Sequence, residues 1–129
     1  MTDAAEIVRG FYNVLGSGDA PGAFSLLAPD VSWTEATGFP YGGTYVGPDQ
    51  VVQQVFARLG SEWDGFAGVP EEFIAQGDTV VVLGQYSGTY KATGKKFTAP
   101  FAHVWTVKNG KLARFRQFTD TALARDALS

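Results

Sequence analysis

The hydrophobic pattern of this chain changes period once, near residue 63, and that change limits the fold more than any other feature. Before it, apolar residues recur three and four apart, as on one face of a helix. After it they alternate or run continuously, as in strands. Helices first and a strand meander afterwards define an α+β fold, in which the helices must cover one face of the sheet because neither layer can bury its apolar side alone.

In the first part, Asp3 and Glu6 stand at capping-box spacing ahead of Ile7, Val8, Phe11, Val14 and Leu15, which share a helical face. Gly16-Ser17-Gly18 closes that helix. Asp19 caps a short second helix carrying Phe24, Leu26 and Leu27, and Pro29 stops it. Residues 31–35 then read as a brief strand and 38–47 as a loop rich in Gly, Pro and Tyr. A third helix starts at Pro48, whose fixed backbone angle suits the first helical position, carries Val51, Val52, Val55, Phe56 and Leu59, and ends at Gly60.

The second part predicts strands at 73–75, 79–90, 97–107 and 112–119, joined by turns at Gly77-Asp78, Thr93-Gly94-Lys95 and Asn109-Gly110. A short C-terminal helix over 121–128 follows. Strands this long cannot stay flat, so the antiparallel sheet curves strongly. With three N-terminal helices packed on its concave side it forms a cone with an internal cavity. Gly84 and Gly88 are the expected bend or bulge points. Val82 and Val104 are placed on the convex face, which predicts sheet-to-sheet pairing of two copies as a homodimer.

Composition narrows the function. A chain of 129 residues with 45% hydrophobic content fits one domain over 1–129 with a substantial core, and 14% aromatic content suits either that core or a ligand cavity. A net charge of −3 without any basic run argues against a nucleic-acid partner. The chain has no cysteine and one histidine, so disulfides, thiolate metal sites and His clusters are excluded, and neither a metal nor a cofactor is expected. No stretch approaches the ~20 apolar residues of a membrane span, and the N-terminus lacks the basic region of a leader, so no membrane partner and a cytoplasmic location are expected.

The single histidine, His103, lies in Phe-Ala-His-Val-Trp-Thr-Val at 101–107, which is apolar on nearly every position. A buried imidazole costs free energy unless it finds a partner, so His103 is either a satisfied core residue or a polar wall of an apolar cavity. Glu35 closes the first strand. It is a general base whose pKa is raised by aromatic surroundings near Trp33, or a solvated carboxylate at a strand end. Trp33, Phe56, Trp63, Phe101 and Trp105 line a pocket or fill a core, since both roles need the same apolar surface. Tyr12, Tyr41 and Tyr45 can each send a hydroxyl inward, Tyr45 being the foremost loop candidate for a ligand contact.

The last hairpin leaves two registers open. A two-residue turn at Asn109-Gly110 puts Arg114, Arg116, Phe118 and Asp120 on the His103 face. A three-residue loop with a bulge puts Phe115, Gln117 and Thr119 there instead, and is favoured because it keeps two arginines out of an apolar cone. Asp120 has a second possible role as the cap of the C-terminal helix.

The order of elements, with Phe11-Tyr-Asn-Val-Leu-Gly-Ser-Gly-Asp19, Ala28-Pro-Asp-Val-Ser-Trp-Thr-Glu35 and His103-Val-Trp-Thr-Val-Lys-Asn-Gly-Lys111, resembles the cone-shaped superfamily of nuclear transport factor two, ketosteroid isomerases and SnoaL-like polyketide cyclases. The resemblance spans nearly the whole chain and implies the fold more strongly than any activity. Ketosteroid isomerases use an Asp base with a Tyr and a protonated Asp as oxyanion donors. By that resemblance Glu35 falls on the base position and His103 on the protonated-Asp position. The Tyr position falls on Phe11, with Tyr12 one step around the helix, so one donor is missing. Limonene-type epoxide hydrolases need Arg and Asp two residues apart where this chain has Phe101 and His103, which disfavours that activity. SnoaL-like cyclases carry a His on this strand and an acid on the next, where Gln117 and Asp120 stand. The resemblance therefore implies a cavity for an apolar small molecule, with Glu35 and His103 moving a proton beside a carbonyl in an isomerase, cyclase or dehydratase step. A non-catalytic ligand-binding or dimerisation module is the competing expectation.

Overall fold

The computed structural model describes residues 3–129. Helix α1 (Ala4–Gly16) starts where the Asp3 carboxylate accepts a hydrogen bond from the Glu6 N–H at 2.8 Å, and it turns Val8, Phe11 and Tyr12 into the core. Helix α2 (Ala20–Phe24) is capped by Asp19 in the same way. Leu27 and Pro29 do not extend or stop that helix; they open strand β1 (Leu27–Glu35). Pro29 is tolerated because it falls where pairing is interrupted, between Leu27 and Ser32. The expected loop after β1 contains a short edge strand, β2 (Gly43–Val46).

Helix α3 covers 48–62. It is α-helical over Pro48–Val51 and Ala57–Glu62, with a π-helical turn at Val52–Phe56 between them. Gly60 does not end it, since one glycine costs a helix only about 1 kcal/mol. The remaining strands are β3 (Trp63–Gln76), β4 (Thr79–Tyr90), β5 (Lys96–Lys108) and β6 (Lys111–Thr119), followed by helix α4 (Thr121–Asp126). Only 73–75 of β3 was legible, because Gly65, Gly68 and Pro70 read as breakers. In an edge strand a proline nitrogen can face away from the neighbouring strand, so Pro70 does no harm there.

The six strands form one sheet in the order β2-β1-β6-β5-β4-β3. All neighbours are antiparallel except β1 and β6, which run parallel, so the expected all-antiparallel sheet is corrected at that pair. Curvature comes from register shifts. Two lie in β3, between Asp64 and Ala67 and between Pro70 and Glu72, opposite Gly88 and next to Gly84. The irregularity is thus in β3, and the glycines of β4 provide room beside it. A Cβ on Gly84 would stand 2.2 Å from the Val69 carbonyl oxygen and 2.5 Å from Phe101 Cζ.

The β5–β6 connection combines parts of both expected registers. Lys108 pairs with Lys111 across a two-residue turn, with Asn109 and Gly110 both at positive φ (51° and 74°). One step into the ladder, a shift between Thr106/Arg114 and Val107/Leu112 leaves Ala113 as an extra residue. The shift returns Phe115 and Gln117 to the inner face, opposite Trp105 and His103. Val82 also belongs to that face: it pairs with His103 and is fully buried, which corrects its expected convex placement. Val104 does lie on the outer face, in register with Val81 and Arg116. No helix among the described residues is long and apolar enough to cross a membrane.

Candidate functional site

Between α1, α3 and the concave face of the sheet lies a cavity of about 430 Å³. Its mouth is apolar, made by Leu15, Leu59, Phe66 and the glycines Gly60, Gly65 and Gly68. Its walls are aromatic. Phe11 sits against Trp105 and Trp33, and Trp33 stacks on Phe115 with centroids 3.8 Å apart. Phe56 and Trp63 contribute from α3 and the start of β3. Each ring faces inward for a periodic reason: Trp33 and Glu35 are two apart on β1, as are His103 and Trp105 on β5 and Phe115 and Gln117 on β6.

The buried end of the cavity is polar, and its polar groups are tied together. Tyr12 Oη lies 2.6 Å from His103 Nδ1, and Tyr86 Oη lies 2.5 Å from Nε2. Trp105 Nε1–H donates to Tyr12 Oη at 2.9 Å, and the Gln117 side-chain amide donates to Tyr86 Oη at 2.9 Å. The Gln117 carbonyl in turn accepts from the Ala36 N–H at 2.9 Å, which fixes the end of β1 beside this chain of groups. Phe101 stacks on the imidazole at 3.9 Å. Burial drives His103 down to about 3, so the ring is neutral at ordinary pH.

Glu35 stands apart from that chain. It is 4% exposed, and Trp33 Nε1–H, at 3.2 Å from Oε2, is its one side-chain hydrogen-bond partner among the described residues. Burial pushes its carboxyl from the ordinary 4.5 up to about 8, only partly opposed by the Trp33 N–H. At neutral pH it therefore holds its proton, and a modest rise in pH releases it.

These positions revise several expectations. The hydroxyl lacking at Phe11 stands one position on, where the Tyr12 side chain reaches the imidazole from α1. The imidazole has both nitrogens occupied by hydroxyls, so it meets a ligand through Tyr12 or Tyr86 and not directly. Tyr45 lies outside the cavity and donates to the Tyr41 carbonyl at 2.7 Å. Asp120 is exposed and caps α4 by accepting from the Ala122 and Leu123 N–H groups, so it is not a cavity residue. Phe101 supports His103 from behind the lining. Phe11, Tyr12, Trp33, Phe56 and Trp63 line the cavity, and so do Trp105, Phe115 and Gln117.

Tyr86 escaped the sequence analysis. Both faces of β4 are apolar at their start, Val80 and Val82 on one side and Val81 and Leu83 on the other, so alternation alone does not say which way Tyr86 points. Only the pairing of Val82 with His103 decides it. Among the described residues no three His, Cys, Asp or Glu side chains converge as a metal site requires.

Comparison with known proteins agrees with this fold. Residues 8–115 match the model of the SnoaL-like domain. No curated protein matches. Among solved structures, an NTF2-like protein from Burkholderia thailandensis is 43% identical with a TM-score of 0.97, covering 100% of this chain and 99% of that one. An NTF2-like protein from Burkholderia pseudomallei is 32% identical with a TM-score of 0.89, over 100% and 99% of the two chains. TerC, co-crystallised with polyporic acid, is 30% identical with a TM-score of 0.87, over 98% of each chain. With the curved sheet, the helices across it and the family match all in agreement, the chain belongs to the SnoaL-like domain family, within the NTF2-like cone fold.

Proposed function

We propose that this protein binds an apolar ring compound in its cone and that Glu35 transfers a proton next to a carbonyl of that compound, in a cofactor-free isomerase, cyclase or dehydratase step. One observation carries the reading: a carboxyl held near neutrality by burial stands at the closed end of an aromatic cavity. A group with a pKa close to ambient pH balances the fraction in the right protonation state against its strength as a base. His103 acts here by positioning, because it holds the two tyrosine hydroxyls. The co-crystal of TerC with polyporic acid supports a small-molecule ligand in this fold.

The test follows exchange of the α-protons of a cyclic ketone, 1-tetralone, into heavy water by NMR. The wild-type protein accelerates exchange, with a rate that rises as Glu35 ionises around pH 8. Glu35→Gln loses about 10²-fold or more of the rate. Equal rates in the two proteins remove Glu35 from the mechanism.

The second reading is a dimerisation or binding module, and the outer face of the sheet favours it. Ile74 and Phe118 are 49% and 50% exposed there, with Val81 and Val104 between them. We propose that this face joins two copies of the chain, whether or not the cavity is catalytic.

A further inference from the structure

The hydrogen-bonded chain at the closed end of the cavity holds one proton more than it can use. A neutral imidazole carries one N–H and each phenol one O–H, so three protons serve the two contacts between His103 and Tyr12 and Tyr86. The other partners of those hydroxyls, Trp105 Nε1–H and the Gln117 amide N–H, are both donors and absorb nothing. One hydroxyl therefore accepts from two N–H groups and keeps its own proton free. No acceptor among the described residues lies within hydrogen-bond reach of it.

The surroundings distinguish the two tyrosines. Tyr12 is satisfied if it accepts from the indole N–H of the wholly buried Trp105 and donates to the bare Nδ1. Tyr86 is tied through Gln117 to Ala36, the residue after Glu35, and the charge of Glu35 acts on Tyr86. It lies on the Glu35 side of the imidazole. A phenol oxygen that accepts from both His103 Nε2–H and the Gln117 amide is polarised into a stronger donor.

Resting on the reading of the cavity as a small-molecule site, we propose that His103 is present as its Nε2–H tautomer, that the free proton belongs to the Tyr86 hydroxyl, and that this hydroxyl donates to a ketone, quinone or enolate oxygen of the ring ligand. Glu35 then lies beside the α-carbon, the one next to that carbonyl. In the proton transfer, the bond from that carbon to hydrogen breaks, its electron pair passes into the enolate, and the Glu35 carboxylate takes the proton. Tyr86 keeps its proton and stabilises the oxygen as negative charge develops there. His103 and Gln117 are positioning residues for Tyr86.

Two measurements test this. Because His103 is the one histidine of the chain, its ring nitrogens give a single pair of ¹⁵N NMR signals. A protonated Nε2 and a bare Nδ1 are expected. The reverse tautomer gives the free proton to Tyr12 and overturns the assignment. Calorimetry then compares 1-tetralone with tetralin, the same ring system without the carbonyl. Tyr86→Phe is expected to weaken 1-tetralone at least tenfold and to change tetralin by less than twofold, and unchanged 1-tetralone affinity overturns the proposal. If neither compound binds the wild-type protein, the reading of the cavity as an apolar small-molecule site fails, while the tautomer still decides the proton assignment. The tautomer also decides it should Tyr86→Phe fail to fold.

Discussion

Tyr12 and His103 are 91 positions apart in the chain and 2.6 Å apart between Oη and Nδ1, so the first helix and the fifth strand meet at one polar point inside an apolar cone. Tyr12 also receives the Trp105 indole N–H, which makes one hydroxyl the partner of two buried groups. Replacing Tyr12 by Phe leaves His103 Nδ1 and the Trp105 N–H without a partner and is expected to cost about 1–3 kcal/mol in urea unfolding. A loss of a few tenths would mean that water or a neighbouring group takes over both bonds.

Stability should depend on pH through two groups that oppose each other. His103 is lowered from 6.5 to about 3 on folding, so between those values the unfolded chain binds the extra proton and stability rises with pH. Glu35 is raised from 4.5 to about 8, so between those values the folded chain binds it and stability falls as pH rises. The two slopes, each about 1.4 kcal/mol per pH unit, cancel between pH 4.5 and 6.5 and leave a plateau. Below the plateau stability drops through His103, and from pH 6.5 to about 8 it drops through Glu35. Glu35→Gln should abolish the alkaline decline and keep the acid one. Unfolding curves across pH that run parallel for the two proteins would contradict the burial of Glu35.

Gly84 has no room for a methyl group. Because the nearest atom to an added Cβ is a backbone oxygen, Val69 O, relief requires movement of β3 itself, and Phe101 blocks the other side. Gly84→Ala is expected to destabilise by about 2 kcal/mol or more. The same change at Gly60, where an added Cβ meets nothing within 4 Å, should be neutral or stabilising by about 1 kcal/mol. Thermal unfolding of the pair checks the contrast.

Light scattering tests the outer face. The wild-type protein is expected at twice the 13.8 kDa chain mass, and Val104→Asp, which points a charge out of the middle of the sheet, is expected at the single mass. Dimers persisting in that variant would place the contact elsewhere.

Much of this architecture was legible in the residues because it rests on local chemistry. Asp3, Asp19 and Pro48 mark helix starts through bonds and angles made within a few positions. His103 stood out because a titratable group inside an apolar run needs a partner, and Glu35 through the resemblance of its strand end to the isomerase base position. Non-local pairing was not legible. The parallel contact of β1 with β6, the strand within the Gly-rich loop and the full length of β3 all depend on a neighbour far along the chain. The last hairpin illustrates the boundary. Asn109-Gly110 forms the two-residue turn that its composition predicts, yet the extra residue at Ala113 sets which side chains face the cavity. Tyr86 was missed for the same reason.

The chain has three tryptophans, Trp33, Trp63 and Trp105, and all three line the cavity. The indole emission of this protein therefore comes entirely from that one place. Anything that enters changes the surroundings of these rings, so occupancy is self-reporting, and an unlabelled compound collection can be screened by light alone.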